Sequence, residues 1–114
     1  MLEQVFRFQR TDQRVIEEVV DHSDPHRLLI THGILPPGEA TPHHPTDADV
    51  HLIILNGTLA LRIADQMIHT YAAGTIIAVP FGAMMELRSE GPECLEFFTI
   101  KTPRIEAWPL KEVV

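Results

Sequence analysis

The hydrophobic residues of this chain fall into short runs rich in Val, Ile, Leu, Thr and Phe, which prolines and glycines separate. The alternation of apolar and polar residues is plainest in 58–63, where Leu59, Leu61 and Ile63 would share one face of a strand. Residues 51–55 form a continuous apolar run, as expected of a strand that is covered on both faces. This pattern predicts β-strands.

Other short segments of the same character predict the remaining strands, at 27–35, 67–71, 75–79, 84–88 and 93–101. Many short strands with turns at nearly regular spacing indicate a β-sandwich or a β-barrel.

Two local signals call for separate predictions. Segment 13–22 has apolar residues at helical spacing, but four β-branched residues in the six from 15 to 20 favour a strand. Asn56 and Gly57 stand between two predicted strands and predict a two-residue hairpin, because a type I′ turn needs positive φ at both central residues.

Length and charge limit the possible architecture and partners. A chain of 114 residues has room for one modest core, so residues 1–114 are expected to form a single domain. The formal charge of −7 repels phosphate backbones and anionic membrane surfaces, so no nucleic acid and no membrane is expected as a partner. A small molecule or another protein is the expected partner.

Cellular location follows from the absence of targeting signals. No apolar run approaches the roughly 20 residues that span a bilayer, and the first residues lack the features of a signal peptide. Cys94 is the one cysteine, which fits a reducing compartment. We therefore expect a cytoplasmic protein.

The chain contains two glycine-containing sequence motifs, and the first spans 38–57. Gly38, His44 and Gly57 match the first glycine, first histidine and last glycine of the pattern G-x5-H-x-H-x3-E-x6-G without a gap. This pattern is the first motif of the cupins.

The second motif spans 74–89. Gly74, Pro80 and Gly82 match the second cupin pattern, G-x5-P-x-G-x2-H-x3-N. The chain thus resembles the small single-domain cupins of the cupin_2 conserved-barrel type. The resemblance implies an all-β jelly-roll barrel (a double-stranded β-helix), a ligand pocket in the mouth of that barrel, and a homodimer.

The departures from the cupin motifs concern the metal ligands. Metal-binding cupins supply two histidines and a glutamate from the first motif and a third histidine from the second. Here the four positions are His44, Thr46, Val50 and Met85. Three imidazoles and a carboxylate suit a transition metal, whereas this set does not. The resemblance therefore implies a pocket lined by these four residues, with a degraded metal site and no cofactor.

His51 is the one further residue that could complete a metal site with His44. In a regular strand it points away from Val50, but a β-bulge near Asp49 would reverse it. His44 and His51, with Asp49 or water, would then bind a divalent transition metal.

Three functions follow, and whether the chain is an enzyme stays open. The preferred one is the binding of a small, largely apolar molecule in the barrel pocket. The second is an enzyme: either a metal-dependent dioxygenase or decarboxylase using His44 and His51, or a metal-free isomerase with His44 as general base. The third is a barrel that acts on a protein partner through its surface.

Glu86 and Glu96 are expected in solvent, and the tail after Pro103 is expected to be irregular and packed on a neighbouring subunit.

Overall fold

The computed structural model describes residues 2–21 and 28–102, which form two antiparallel β-sheets and contain no helix. The strands in this part of the chain are β1 (Val15–Val20), β2 (Leu29–Leu35), β3 (His44–Pro45), β4 (Asp49–Asn56), β5 (Thr58–Ile63), β6 (His69–Ala72), β7 (Ile76–Val79), β8 (Met84–Ser89) and β9 (Leu95–Thr102). The larger sheet has the order β1-β2-β9-β4-β7, and the smaller one has the order β3-β8-β5-β6.

The strand predictions are confirmed in type, with boundaries that move by up to two residues. β5 coincides with the predicted segment 58–63, and β1 confirms that 13–22 contains a strand. The tail after Pro103 lies outside the described residues.

The predicted hairpin at Asn56-Gly57 is wrong. β4 belongs to the five-stranded sheet and β5 to the four-stranded one, so the chain crosses between sheets at this point. Gly57 has a φ of 79°, while the one described non-glycine residue with positive φ is Ala64. The side-chain amide of Asn56 instead donates a hydrogen bond to the Cys94 carbonyl at 3.1 Å. A local turn signal specifies a bend but not the sheet in which the next strand pairs.

The core lies between the facing sheets. Inward-facing residues of β2, β4, β5, β7, β8 and β9 form one buried hydrophobic cluster, as period-2 alternation requires. Its members are Leu35, Val50, Leu52, Ile54, Leu59, Leu61, Val79, Met85, Leu87, Leu95 and Phe97.

The N-terminal segment, residues 2–14, contacts the outer face of the five-stranded sheet through residues 8–10. The ring of Phe8 lies 4.6 Å from the ring of His32 and 4.9 Å from that of Phe98, measured between centroids. The Nε atom of Arg10 lies 3.4 Å from Oε2 of Glu96. This cover explains why polar residues on the outside of the sheet are buried.

His32 is fully buried beneath this segment, between two carboxylates. Its Nδ1 lies 3.0 Å from Glu17 Oε2, and its Nε2 lies 2.7 Å from Glu96 Oε2. Each ring nitrogen therefore lies within hydrogen-bonding distance of one carboxylate oxygen. The expectation that Glu96 is solvated is wrong: its side chain is 9% exposed, because the N-terminal segment covers it.

Hydrogen bonding lowers the pKa of Glu17 below its usual 4.5, chiefly through the Gln9 backbone N–H and then through His32. A lowered pKa adds stability that is present above the unfolded pKa and is lost as the pH falls through the folded value.

We expect Glu17→Gln to lower the free energy of unfolding by about 1 kcal/mol at pH 7, because it removes a charge-assisted acceptor. That difference should shrink below about pH 4.5. Urea unfolding of both proteins from pH 7 to pH 3 measures it. Glu18→Gln, at the exposed neighbouring position, is the matched control. A difference that does not change with pH would contradict the assignment.

Candidate functional site: the barrel mouth

Thr46 ties together the segments that form one end of the barrel. Its N–H donates to the Ala83 carbonyl and its hydroxyl to the Pro80 carbonyl, both at 2.9 Å, while Gly82 N–H donates to the Thr46 carbonyl at 3.0 Å. The loop between β7 and β8 is thereby fixed beside the chain that joins β3 to β4. We call this end, formed by residues 44–50, 80–85 and 101–102, the barrel mouth.

His44 points into the barrel. It lies directly opposite Met85 in the antiparallel pair of β3 and β8, and directly opposed residues share one face of a sheet. Met85 belongs to the buried core cluster, so the shared face is the inner one. His44 Nδ1 lies 2.7 Å from the Pro42 carbonyl oxygen, which can only accept, so Nδ1 carries a proton. In the neutral ring, Nε2 is then the acceptor.

The structure places the other predicted pocket residues as follows. Val50 and Met85 are buried at 1% and 3% exposure and make the interior at the mouth apolar. Thr46 is also buried, but its hydroxyl is engaged by Pro80 and serves the loop. His44 is therefore the polar member of the predicted set with a nitrogen available to a ligand.

The residues at the cupin metal positions do not fit a transition metal. His51 is exposed on the outer face, since its neighbour Val50 faces inward. The β4–β9 register runs evenly past Asp49 and shifts only between Ile54 and Asn56, so the bulge that the alternative site requires is not there. Within residues 2–21 and 28–102, no three His, Cys, Asp or Glu side chains are grouped to hold a metal ion. We derive no chemical step through a metal.

A cleft of about 430 Å³ opens beside the barrel mouth, mostly on the outer face of the five-stranded sheet where His51 lies, and neither His44 nor Lys101 lines it. This volume lies within the range that accommodates small organic ligands. The lining is mainly apolar, with one carboxylate and one imidazole, from Asp49, Val50, His51, Ala78, Val79, Pro80 and Thr102.

The sequence interpretation missed Lys101 as a mouth residue. Lys101 lies directly opposite Val50 in the β4–β9 pair and therefore shares its inward face. The signal was available in the alternation of Phe97, Thr99 and Lys101 along the strand, but it needed the register of β9 to become informative.

Comparisons with known proteins identify the family. An uncharacterised protein of Methanocaldococcus jannaschii is 38% identical over 104 residues, which are 90% of this chain and 87% of that protein. The crystal structure of this relative, described as an RmlC-like cupin family protein with a double-stranded β-helix fold, has a TM-score of 0.84 and is covered over 93% of its chain. The chain belongs to the cupin family.

Two further solved structures extend the comparison. A conserved protein of unknown function from Streptococcus pyogenes is 25% identical with a TM-score of 0.70, covering 83% of this chain and 78% of that one. A cupin superfamily protein from Desulfitobacterium hafniense is 17% identical with a TM-score of 0.71, covering 86% and 84%, and shows the shared fold. No family model matches the sequence.

These comparisons confirm the cupin resemblance and the double-stranded β-helix. In the part of the chain that the structure describes, no helix is long and apolar enough to cross a membrane. The cytoplasmic location and the homodimer stay predictions.

Proposed function

We propose that this cupin binds a small, largely apolar organic molecule at the barrel mouth through its own side chains, without a resident transition metal. The observation that carries the proposal is the His44 ring, which shares the inner face with the apolar Met85 while Pro42 fixes its orientation. One oriented polar group in an apolar setting is how small-molecule pockets set the position of a ligand.

The donor set supports binding without a metal. Thr46, Val50 and Met85 replace the remaining cupin ligands, and the Thr46 hydroxyl is held by the Pro80 carbonyl. A ligand would instead donate a hydrogen bond to His44 Nε2 and place its apolar part near Val50 and Met85.

A second function, metal-free acid–base catalysis, is favoured by the same hydrogen bond. An imidazole whose Nδ1–H is held by a carbonyl presents Nε2 as a general base in a fixed direction, as isomerisation of a bound substrate would require. Both functions use His44 at one site, and only the second needs turnover.

The direct test uses 1-hexanol as a probe with a hydroxyl donor and an apolar chain. We expect 1-hexanol to shift the imidazole nitrogen resonances of His44 in long-range ¹H–¹⁵N spectra. His44→Ala should raise the dissociation constant of 1-hexanol about fivefold, which corresponds to the loss of one hydrogen bond of about 1 kcal/mol.

The neighbouring His43 provides the matched control, because it is exposed and precedes β3. His43→Ala should leave hexanol binding unchanged. Equal losses in both variants, or one equivalent of transition metal per chain in protein purified without chelators, would overturn the proposal.

A further inference from the structure

Lys101 is an unusual residue for the inside of a barrel. Its side chain is 25% exposed, and it faces inward beside Val50 on one strand and Leu29 on the other. Burying a lysine stem costs little, but removing its ammonium group from water is costly unless a counter-charge is present.

The ion pair between Lys101 and Asp47 is weak. The ammonium nitrogen lies 4.0 Å from Asp47 Oδ1, and the Asp47 side chain is 88% exposed. An ion pair at that distance with a solvated partner contributes little. The ammonium group can therefore exchange this partner for an anionic ligand at small cost.

Two threonine side chains lie on the same inward-facing side of the five-stranded sheet as Lys101. Thr99 lies two residues before it on the same face of β9, and Thr31 lies directly opposite Thr99 on β2. We call Thr31, Thr99 and Lys101 the polar stripe. It lies on the five-stranded sheet, whereas His44 lies on the four-stranded sheet. The imidazole and the ammonium group therefore belong to the two different sheets that enclose the core.

We propose that the ligand of the barrel mouth is an organic carboxylate, whose carboxylate group binds the Lys101 ammonium at the polar stripe while its apolar part packs toward Val50. This inference rests on the proposed function and adds the chemical class of the ligand. The chain charge of −7 disfavours anions in general, so the inward-facing Lys101 ammonium is the local feature that would attract a carboxylate to this site.

The test compares hexanoate with hexanamide, its uncharged analogue of nearly equal shape, by isothermal titration calorimetry. We expect hexanoate to bind about tenfold more tightly than hexanamide to the wild-type chain, as for a hydrogen bond to a charged group. Lys101→Met keeps the aliphatic stem and should abolish this preference, while Lys101→Arg should retain most of it.

Arg62→Met is the matched charge control, because Arg62 is exposed and lies between inward-facing Leu61 and Ile63 on β5. It removes the same charge and should keep the preference for hexanoate. Equal binding of hexanoate and hexanamide, or a preference that survives Lys101→Met, overturns the inference. Failure of 1-hexanol to reach His44 overturns the proposed function itself, so the two failures are distinguishable.

Discussion

Replacing His32 with leucine is expected to lower the free energy of unfolding by about 3–5 kcal/mol, measured by urea denaturation at pH 7. The imidazole joins Glu17 to Glu96, and the Glu96 side chain is 9% exposed. Without the ring, that carboxylate keeps the Arg10 contact at 3.4 Å but loses its 2.7 Å partner. A buried charge that loses its partner is among the most destabilising changes in a protein.

The double variant His32→Leu/Glu96→Leu separates the loss of a partner from the loss of the network. Replacing both groups with apolar side chains removes the stranded charge, so the double variant should be more stable than His32→Leu. A double variant whose loss equals the sum of the two single losses would show that the contact carries no coupling.

The second large effect is expected at Gly57, where the chain crosses between the sheets. Gly57→Ala should lower the free energy of unfolding by about 2–5 kcal/mol, for two reasons. The residue has a φ of 79°, and an added Cβ would overlap the backbone carbonyl oxygen of Cys94. Cys94 directly precedes β9, and its carbonyl oxygen is backbone, which cannot move aside as the end of a flexible side chain can.

Gly74→Ala isolates the conformational part of this effect. Gly74 has a φ of 90°, but no atom lies within 4 Å of an added Cβ. Its replacement should cost about 1–2 kcal/mol, the penalty of a left-handed backbone alone. Equal losses at Gly57 and Gly74 in thermal or urea unfolding would show that the Cys94 contact has no energetic weight.

Much of the barrel could be predicted from local pattern. The alternation in 58–63 fixes which residues of β5 face the core, because side chains on a strand have a period of two. His44 and Met85 occupy two of the cupin ligand positions in the motifs, and in the structure they lie directly opposite each other on β3 and β8. The glycines and the proline of the motifs mark bends whose backbone geometry few other residues adopt, as the positive φ of Gly38, Gly74 and Gly82 shows.

The tertiary structure decided the features that depend on which strands become neighbours. The Asn56-Gly57 pair predicts a hairpin from local sequence, but the structure places β4 and β5 in different sheets. Strand pairing depends on residues far apart in the chain, so the local signal could not decide it. From its strand position, Glu96 was expected in solvent. In the structure the N-terminal segment covers it, and His32 is its hydrogen-bonding partner. Lys101 becomes a mouth residue only through its register with Val50. The sequence by itself determined the strands, the cupin skeleton and the residue types at the cupin metal-ligand positions, because these depend on residue identity and spacing. Burial and partnership of the charged groups required the folded chain, because they depend on residues far apart in sequence.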